Sequence, residues 1–149
     1  MSEHRANIKW ARDGEDFSTE SYNRDHVVTF ENGTEIKASA APAFQGNPDC
    51  VDPEEVLVSA LSSCHMLTFL AIAAKKRLTV DGYEDNVVGI LEKNGDGKFA
   101  VTRATLRPRV AWGGDRTPTT EEIEKMHEKA HHACIVANSV LTEVSIESR

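Results

Sequence analysis

The sequence lacks the features that would place the protein in a membrane or on a nucleic acid. No segment reaches roughly 18 uninterrupted apolar residues, the length that a helix needs to cross a bilayer. The formal net charge is −7, whereas non-specific nucleic-acid binding requires a basic surface. An acidic protein is also repelled by anionic membrane surfaces. We therefore expect neither nucleic acid nor membrane among its partners.

The chain is also poor in cysteine, with Cys50, Cys64 and Cys134 at wide spacing. An odd, sparse set of this kind does not predict a disulfide scaffold. The charged N-terminus, "MSEHRANIKWARDGEDF", has no apolar stretch typical of a secretory signal. We therefore expect a cytoplasmic protein whose thiols are kept reduced.

Length and patterning predict a single α+β domain over residues 1–149. Short alternating runs in residues 7–40 predict a small antiparallel meander, with a β-hairpin turning at Asn32-Gly33. Residues 79–112 predict two or three further strands with a hairpin turn in "EKNGDGKF". A second helix, capped by Thr119 or Thr120, and a closing strand in "VLTEVSIES" complete the pattern.

The most apolar stretch, "EEVLVSALSSCHMLTFLAIAAKK", predicts a long helix from Pro53 to about residues 75–77. Asp52 suits the N-cap and Pro53 the first helical position, and glutamates follow in the first turn. The helix is apolar on nearly all its faces, so it should be buried on more than one side. It is either a central helix or one packed between a sheet and a partner subunit.

Cys64 lies in the middle of this helix, between two serines and His65. A buried cysteine is often no more than a small core residue. The polar neighbours instead favour a reactive thiol. Because Cys64 is far from the helix start, the helix dipole does little for its pKa, and a cation from elsewhere would have to stabilise the thiolate. The candidate cations are Arg24, Arg103, Arg107, Arg109 and His65.

Cys134 follows the second helix, in "AHHACIVANS", and is either a core residue or a resolving cysteine that closes a disulfide with an oxidised Cys64. Cys50 lies in a proline-rich loop and is interpreted as a bystander. His127 and His131, four residues apart on one helix, allow a metal hypothesis together with Cys134. Solvated histidines are the simpler interpretation.

Glu54 precedes Cys64 by ten residues, which is about 15 Å along a straight helix. The two side chains therefore cannot meet within one straight helix. If both belong to one site, either the helix bends or a second chain supplies one of them.

Together these residues resemble the OsmC/Ohr family of thiol-dependent hydroperoxide reductases. "DPEEVLVSALSSCHM" is similar to the family's helix, in which a glutamate stands ten residues before the cysteine, and "CIVANS" is similar to the segment around its second cysteine. The N-terminal segment, with Arg24 and His26, resembles the OsmC-like branch. The resemblance implies an intertwined homodimer, with antiparallel sheets wrapped around long central helices and the active sites at the subunit interface.

The resemblance also implies a mechanism. Arg24, held by Glu54, would stabilise the Cys64 thiolate, which attacks a hydroperoxide and becomes a sulfenic acid. Cys134 would then form a disulfide with Cys64, and an external dithiol, possibly of the lipoyl type, would reduce it. No metal, flavin or haem cofactor is expected. Two alternatives stay open: a non-catalytic protein of this fold that binds a small ligand, and a metal enzyme using His127, His131 and Cys134.

Overall fold

The computed structural model describes residues 1–14 and 16–148. The chain divides into two compact units, Met1–Val56 and Leu57–Arg149, and one long helix begins in the first and continues through the second. The expectation of one domain over residues 1–149 stays a prediction.

The N-terminal unit is built on three antiparallel strands in the order β1 (Ala6–Lys9), β2 (His26–Phe30) and β3 (Glu35–Ala38). The predicted β2–β3 hairpin is confirmed: Gly33 has φ of 84°, and the side chain of Asn32 accepts a hydrogen bond from the Thr34 N–H. Residues 16–22, which were expected to belong to the meander, contain a turn at residues 19–21 and no strand.

Helix α1 (Pro53–Lys75) has the predicted bounds. Asp52 is its N-cap: the Asp52 carboxylate accepts a hydrogen bond from the Glu55 N–H at 2.8 Å, and the Glu55 carboxylate accepts one from the Asp52 N–H at 3.1 Å. This reciprocal pair is a capping box. The helix ends at Lys75, and two residues later Arg77 has a φ of 57°, in the left-handed region.

The C-terminal unit contains two sheets. Strands β4 (Thr79–Asp85) and β7 (Pro108–Gly113) form an antiparallel pair. Strand β6 (Phe99–Leu106) lies between β5 (Val88–Lys93), which is antiparallel to it, and β8 (Glu143–Ile146), which is parallel. The expectation of antiparallel sheets is therefore met except at β8.

Four strands occupy the described residues between 79 and 113, so the prediction of two or three was wrong. The run "RATLRPRV", which has the pattern of one strand, is divided at Arg107. The Arg107 N–H donates to the Asp85 carboxylate at 2.6 Å, and Pro108 has no N–H to give. The chain therefore changes sheets at this point.

Helix α2 (Thr120–Ala133) starts at an N-cap on Thr119, one of the two positions predicted. Its apolar face packs against α1 in the core of the C-terminal unit, whose buried members are Phe69, Ala73, Leu78, Met126 and Ala130. Strand β5 also lies close to α1, since a Cβ on Gly89 would come within 2.5 Å of the Val58 side chain. These contacts hold α1 between a sheet and a helix.

Helix α1 has the length and composition of a membrane span, although its apolar run is interrupted. Its most apolar 18-residue window has a mean hydropathy of 1.9, and 22% of that window is buried inside the chain. One such helix is weak evidence for a membrane, because the core helix of a folded protein has the same composition. The Ser62 hydroxyl donates to Asp85 and His65 is bonded to His127, as expected of a core helix.

Candidate functional site

Two of the predicted site residues lie together in the C-terminal unit. Cys64 lies in the middle of α1 and is half-buried, whereas Cys134 forms the C-cap of α2 and is 1% exposed. Both are free thiols, and the two side chains lie close enough for each to shift the pKa of the other. Helix packing between α1 and α2 thus brings together two sulfur atoms that are seventy residues apart in the chain.

The environment of Cys64 favours its thiolate. Burial raises the pKa of the Cys64 thiol, but the backbone N–H of Val136, the Cys134 thiol and the N–H of Ile135 all donate to this sulfur and lower the pKa below its ordinary value. The stabilising donors therefore come from the segment that follows α2. Sequence patterns could not reveal them, because backbone amides leave no residue signature.

Cys134 has the opposite character. Burial raises the pKa of the Cys134 thiol, and the hydrogen bond to Cys64 and the negative charge there raise it further, against the opposing effect of the Ala137 N–H. That N–H donates to Cys134 Sγ at 3.4 Å. Of the two sulfurs, Cys64 is therefore the better nucleophile, and Cys134 keeps its proton.

Arg24 lies in the N-terminal unit, where neighbouring groups hold its guanidinium. It donates to the carbonyl oxygens of Tyr22 at 2.8 Å and Thr19 at 2.7 Å and to the side chain of Gln45 at 3.0 Å, and it stacks over the Tyr22 ring at 4.0 Å. His26 is bonded through Nδ1 to the Arg24 carbonyl at 2.9 Å. These contacts fix a positive charge in one position.

Glu54 was expected to hold Arg24, but it is not one of the hydrogen-bond acceptors of that guanidinium among the described residues. Instead, Glu54 Oε2 is buried and has no hydrogen-bond partner in the part of the chain described. A buried carboxylate oxygen without a donor is costly. An Arg24–Glu54 pair therefore stays a prediction, and the unused oxygen is the group that a second chain would have to satisfy.

The other candidate arginines are engaged with glutamates at the surface of the C-terminal unit. Arg103 pairs with Glu92 at 3.2 Å, Arg107 with Glu147 at 3.0 Å and Arg109 with Glu84 at 3.4 Å. None of these three arginines is among the causes of the lowered pKa of Cys64.

A buried pair of histidines crosses the interface between α1 and α2. His65 Nε2 and His127 Nδ1 are 3.0 Å apart, and the two residues are 1% and 4% exposed. Burial, then His127 and His131, lower the pKa of His65 to about 4, against the opposing charge of Asp85. Burial lowers that of His127 to about 4 as well. Both rings are therefore neutral at pH 7.

The expectation that His127 is a solvated helix residue was wrong, because this ring lies in the core and stacks on Phe69 at 4.3 Å. His127 is buried because of how α2 is rotated against α1. The i, i+4 spacing of His127 and His131 does not by itself determine that rotation. Within residues 1–14 and 16–148, no group of three or more histidine, cysteine, aspartate or glutamate side chains is arranged to hold a metal ion. The metal hypothesis on His127, His131 and Cys134 thus finds no geometric support.

The N-terminal unit contains an open cavity of about 400 Å³. Its walls are mainly apolar, and the aromatic rings of Trp10, Phe17 and Tyr22 follow one another at centroid distances of 5.9 and 5.4 Å. Arg24 and His26 provide polar groups in the same lining. The cavity could therefore admit a small apolar molecule with one polar group.

The family can be assigned from the sequence that carries both cysteines. The family model described as OsmC-like protein matches residues 46–149, more than half of the chain. The chain belongs to the OsmC-like family. Among curated proteins, this OsmC-like chain is 24% identical over 127 residues to the uncharacterised protein YmaD of Bacillus subtilis strain 168, with 84% of each chain covered.

Solved structures agree with this assignment. An OsmC-like protein of unknown function from Vibrio cholerae O1 biovar eltor is 49% identical, covers all of both chains and superimposes with a TM-score of 0.96. An organic hydroperoxide resistance protein from Elizabethkingia anophelis, crystallised with thiocyanate, superimposes with a TM-score of 0.74 at 17% identity, covering 99% of this chain and 94% of that one. The second likeness shows a shared fold.

Proposed function

We propose that this OsmC-like protein is a thiol-dependent peroxidase that reduces organic hydroperoxides. The observation that carries the proposal is the pair of neighbouring free thiols, Cys64 and Cys134, of which the first has a lowered pKa and the second a raised one. A low-pKa thiolate beside a protonated thiol is the arrangement that a two-cysteine peroxidase requires. Structural neighbours named as organic hydroperoxide resistance proteins support the same activity.

In the first step, the Cys64 thiolate attacks the distal oxygen of the hydroperoxide. The S–O bond forms, the O–O bond breaks, and the alkoxide leaves and takes up a proton to become an alcohol. Cys64 is thereby oxidised to a sulfenic acid by two electrons. The proposed role of Arg24, with its fixed guanidinium, is to stabilise the negative charge on sulfur and on the leaving oxygen.

In the second step, Cys134 loses its proton and attacks the Cys64 sulfur. The S–S bond forms, and the sulfenic oxygen leaves as water. A dithiol then reduces the disulfide by two exchange steps and is itself oxidised to a disulfide, which returns both cysteines to thiols. The proposed donor is of the lipoyl type, and no other cofactor enters the cycle.

We propose that the active form is an intertwined homodimer. Among the described residues of α1, only one stripe is buried within the chain, made of Leu61, His65, Phe69 and Ala73. The apolar side chain of Leu67 is 61% exposed. A second copy would cover this surface, and it would also bring the unpartnered oxygen of Glu54 within reach of a donor.

The test is a single-turnover reaction of the reduced protein with one equivalent of cumene hydroperoxide. We expect the loss of two thiols per chain, and a Cys64–Cys134 disulfide in the peptide map. Cys50→Ser is the control and should react like the unmodified protein. If the thiols survive, the peroxidase proposal fails.

A second candidate is a non-catalytic protein that binds a small apolar ligand, which the cavity of about 400 Å³ in the N-terminal unit favours. The single-turnover reaction with cumene hydroperoxide distinguishes the two functions, because a binding protein would keep its thiols when mixed with the peroxide. Calorimetric titration with cumyl alcohol, which has the shape of the peroxide but cannot oxidise a thiol, would then reveal the binding.

A further inference from the structure

A second cavity, of about 320 Å³, lies in the C-terminal unit along one side of α2. Its lining includes residues of α2 and the last residue of β8: Glu124, His127, Glu128, His131, His132 and Ile146. The α2 residues recur at spacings of three and four, which places them on one face of the helix. Neither Cys64 nor Cys134 lines this cavity, so it is separate from the pair of thiols.

His127 is a buried polar residue in the wall of this cavity. The residue is 4% exposed, its ring stacks on Phe69 at 4.3 Å, and its Nδ1 lies 3.0 Å from His65 Nε2. Its Nε2 is also buried but has no hydrogen-bond partner in the described part of the chain. The two nitrogens of an imidazole point in divergent directions. The contact of Nδ1 with His65 therefore turns Nε2 away from α1 and towards the cavity that the residue lines.

A second imidazole repeats this feature one turn further along α2. His131 Nδ1 is buried and, like His127 Nε2, has no partner among the described residues. A buried nitrogen without a hydrogen bond is unfavourable. The cavity wall therefore contains two unused hydrogen-bonding atoms that a ligand could satisfy.

The charge of the lining selects the class of ligand. Glu124 and Glu128 carry negative charges, and neither forms an ion pair within residues 1–14 and 16–148. No lysine or arginine of the described residues lines the cavity. His127 is neutral at pH 7, because burial lowers its pKa to about 4. The cavity therefore repels an anion and attracts a cation that donates hydrogen bonds.

An organic cation suits the cavity better than a metal ion does. In the part of the chain that is described, no group of three or more histidine, cysteine, aspartate or glutamate side chains is arranged to hold a metal. The volume of about 320 Å³ is instead that of a small-molecule pocket. An alkylammonium ion has N–H donors for the unused nitrogens, a positive charge for the carboxylates and an apolar tail for Ile146.

We propose that the cavity beside α2 binds a small primary amine in its ammonium form. In this complex the ammonium group donates hydrogen bonds to His127 Nε2 and His131 Nδ1. Glu124 and Glu128 supply the opposite charge at the rim, and the alkyl chain lies against Ile146. The site uses neither cysteine, so it does not depend on the peroxidase activity proposed above.

The test is an NMR titration of the full-length chain at pH 7 with n-butylamine, followed on the amide and imidazole signals of α2. We expect saturable shifts at His127 and His131, with a dissociation constant of about one millimolar for so small a ligand. 1-Butanol and butyrate have a similar shape but are neutral and negative, respectively. The alcohol should bind roughly tenfold more weakly, and butyrate should shift no signal of α2. If butylamine shifts no such signal, or binds no better than the alcohol or butyrate, the proposal is overturned.

A substitution at the rim tests the role of charge. Glu128→Gln keeps the shape of the side chain and should raise the dissociation constant of butylamine roughly fivefold. Glu121→Gln, on the same helix but outside the cavity lining, is the matched control and should leave this constant unchanged. Equal effects of the two variants, or none from the first, would contradict binding in this cavity. Cys64→Ser should bind butylamine like the unmodified protein, so the amine site and the peroxidase can fail independently.

The buried pair of imidazoles gives a further measurement that needs no substitution. A nitrogen that accepts a hydrogen bond from the ammonium group carries no proton, so the proton of the neutral His127 ring must be on Nδ1 in the complex. His127 then donates to His65 Nε2, and binding fixes one tautomer of the pair. Nitrogen chemical shifts of the His127 ring distinguish the tautomers. A proton on Nε2 in the presence of saturating butylamine would overturn the proposed contact.

Discussion

The two helices of the C-terminal unit are built on opposite principles. Helix α2 is amphipathic, with buried Met126 and Ala130 on one face and charged residues on the other. Helix α1 is apolar on nearly all its faces, yet the chain fully buries only the stripe that includes Leu61 and Phe69. The outer face of α2 is therefore polar and well solvated, whereas α1 exposes apolar surface to water, which is unfavourable.

The two helices also differ in where each places its cysteine. Helix α1 is long, and Cys64 lies in its middle, far from either end. Helix α2 ends at Cys134, where the chain turns and can offer both a second sulfur and free backbone amides. In the peroxidase proposed above, Cys64 would act as the nucleophile and Cys134, at the end of α2, as its resolving partner.

The largest effect is expected when either cysteine of the pair is replaced by serine. Cys64→Ser should abolish peroxide turnover, because Cys134, the other thiol of the site, is buried and has a raised pKa, so it stays protonated. Cys134→Ser should permit one oxidation per chain and then stop, with a sulfenic acid that dimedone traps. Peroxide consumption and mass spectrometry measure both. Equal residual turnover in the two variants would contradict these roles.

The next largest effect is expected when a charge is introduced on the exposed apolar face of α1. Such a charge should weaken dimer formation. Leu67→Lys should raise the dimer dissociation constant roughly thirtyfold or more, since it places an ammonium group in an apolar interface. Lys129→Glu, on the exposed face of α2, is the matched control and should leave assembly unchanged. Sedimentation at several concentrations distinguishes them, and an unmodified protein that is monomeric throughout would refute the dimer.

A smaller effect is expected where the two helices meet, at His65 and His127. The pKa of both rings falls from about 6.5 in the unfolded chain to about 4 in the folded one, so the unfolded chain binds more protons between these values. The contribution of the two neutral rings to the free energy of unfolding is fully present above about pH 6.5 and is lost as the pH falls towards 4. One such histidine accounts for about 3 kcal/mol, and the coupled pair for less than twice that.

Denaturant unfolding at pH 7, 6 and 5 measures this loss. His127→Gln should flatten the pH dependence, whereas His132→Gln, on the exposed side of the same helix, should leave it as it is. An unchanged slope in the first variant would mean that the buried pair is not the origin of the acid sensitivity.

The smallest effects belong to the helix starts. Thr119→Ala removes a capping side chain from α2 and should lower the free energy of unfolding by about 1 kcal/mol. Asp52→Ala should cost a similar amount in α1. Thr120→Ala, one position inside α2, is the control and should change stability by roughly 0.5 kcal/mol or less. If it costs as much as Thr119→Ala, the cap is not the cause.

Much of the fold was predictable because its signals are local. The bounds of α1 follow from Asp52, Pro53 and the end of the apolar run, and the β2–β3 hairpin follows from Asn32-Gly33. The division of residues 99–113 into two strands was missed, because the Arg107 N–H finds its acceptor on Asp85, a residue distant in sequence. The parallel pairing of β8 was missed for the same reason.

The candidate site was only partly predictable. Cys64 and Cys134 stood out by residue type and context, since a thiol among polar neighbours is unusual in an apolar helix. The donors at Ile135 and Val136 were hidden because any residue except proline has a backbone N–H. The burial of His127 depended on the rotation of α2 about its axis, and hydrophobic spacing fixes such a rotation only coarsely.

The turn that carries Cys134 is anchored at both ends. Helix α2 precedes it, and soon after it the Thr142 hydroxyl bonds the Val101 carbonyl at 2.8 Å and β8 joins β6. We expect a sulfur held between two anchored elements to move little. In the proposed cycle the reductant would therefore have to bring its own sulfur to Cys134, which suits a dithiol carried on a slender, flexible arm better than one recessed in a bulky protein.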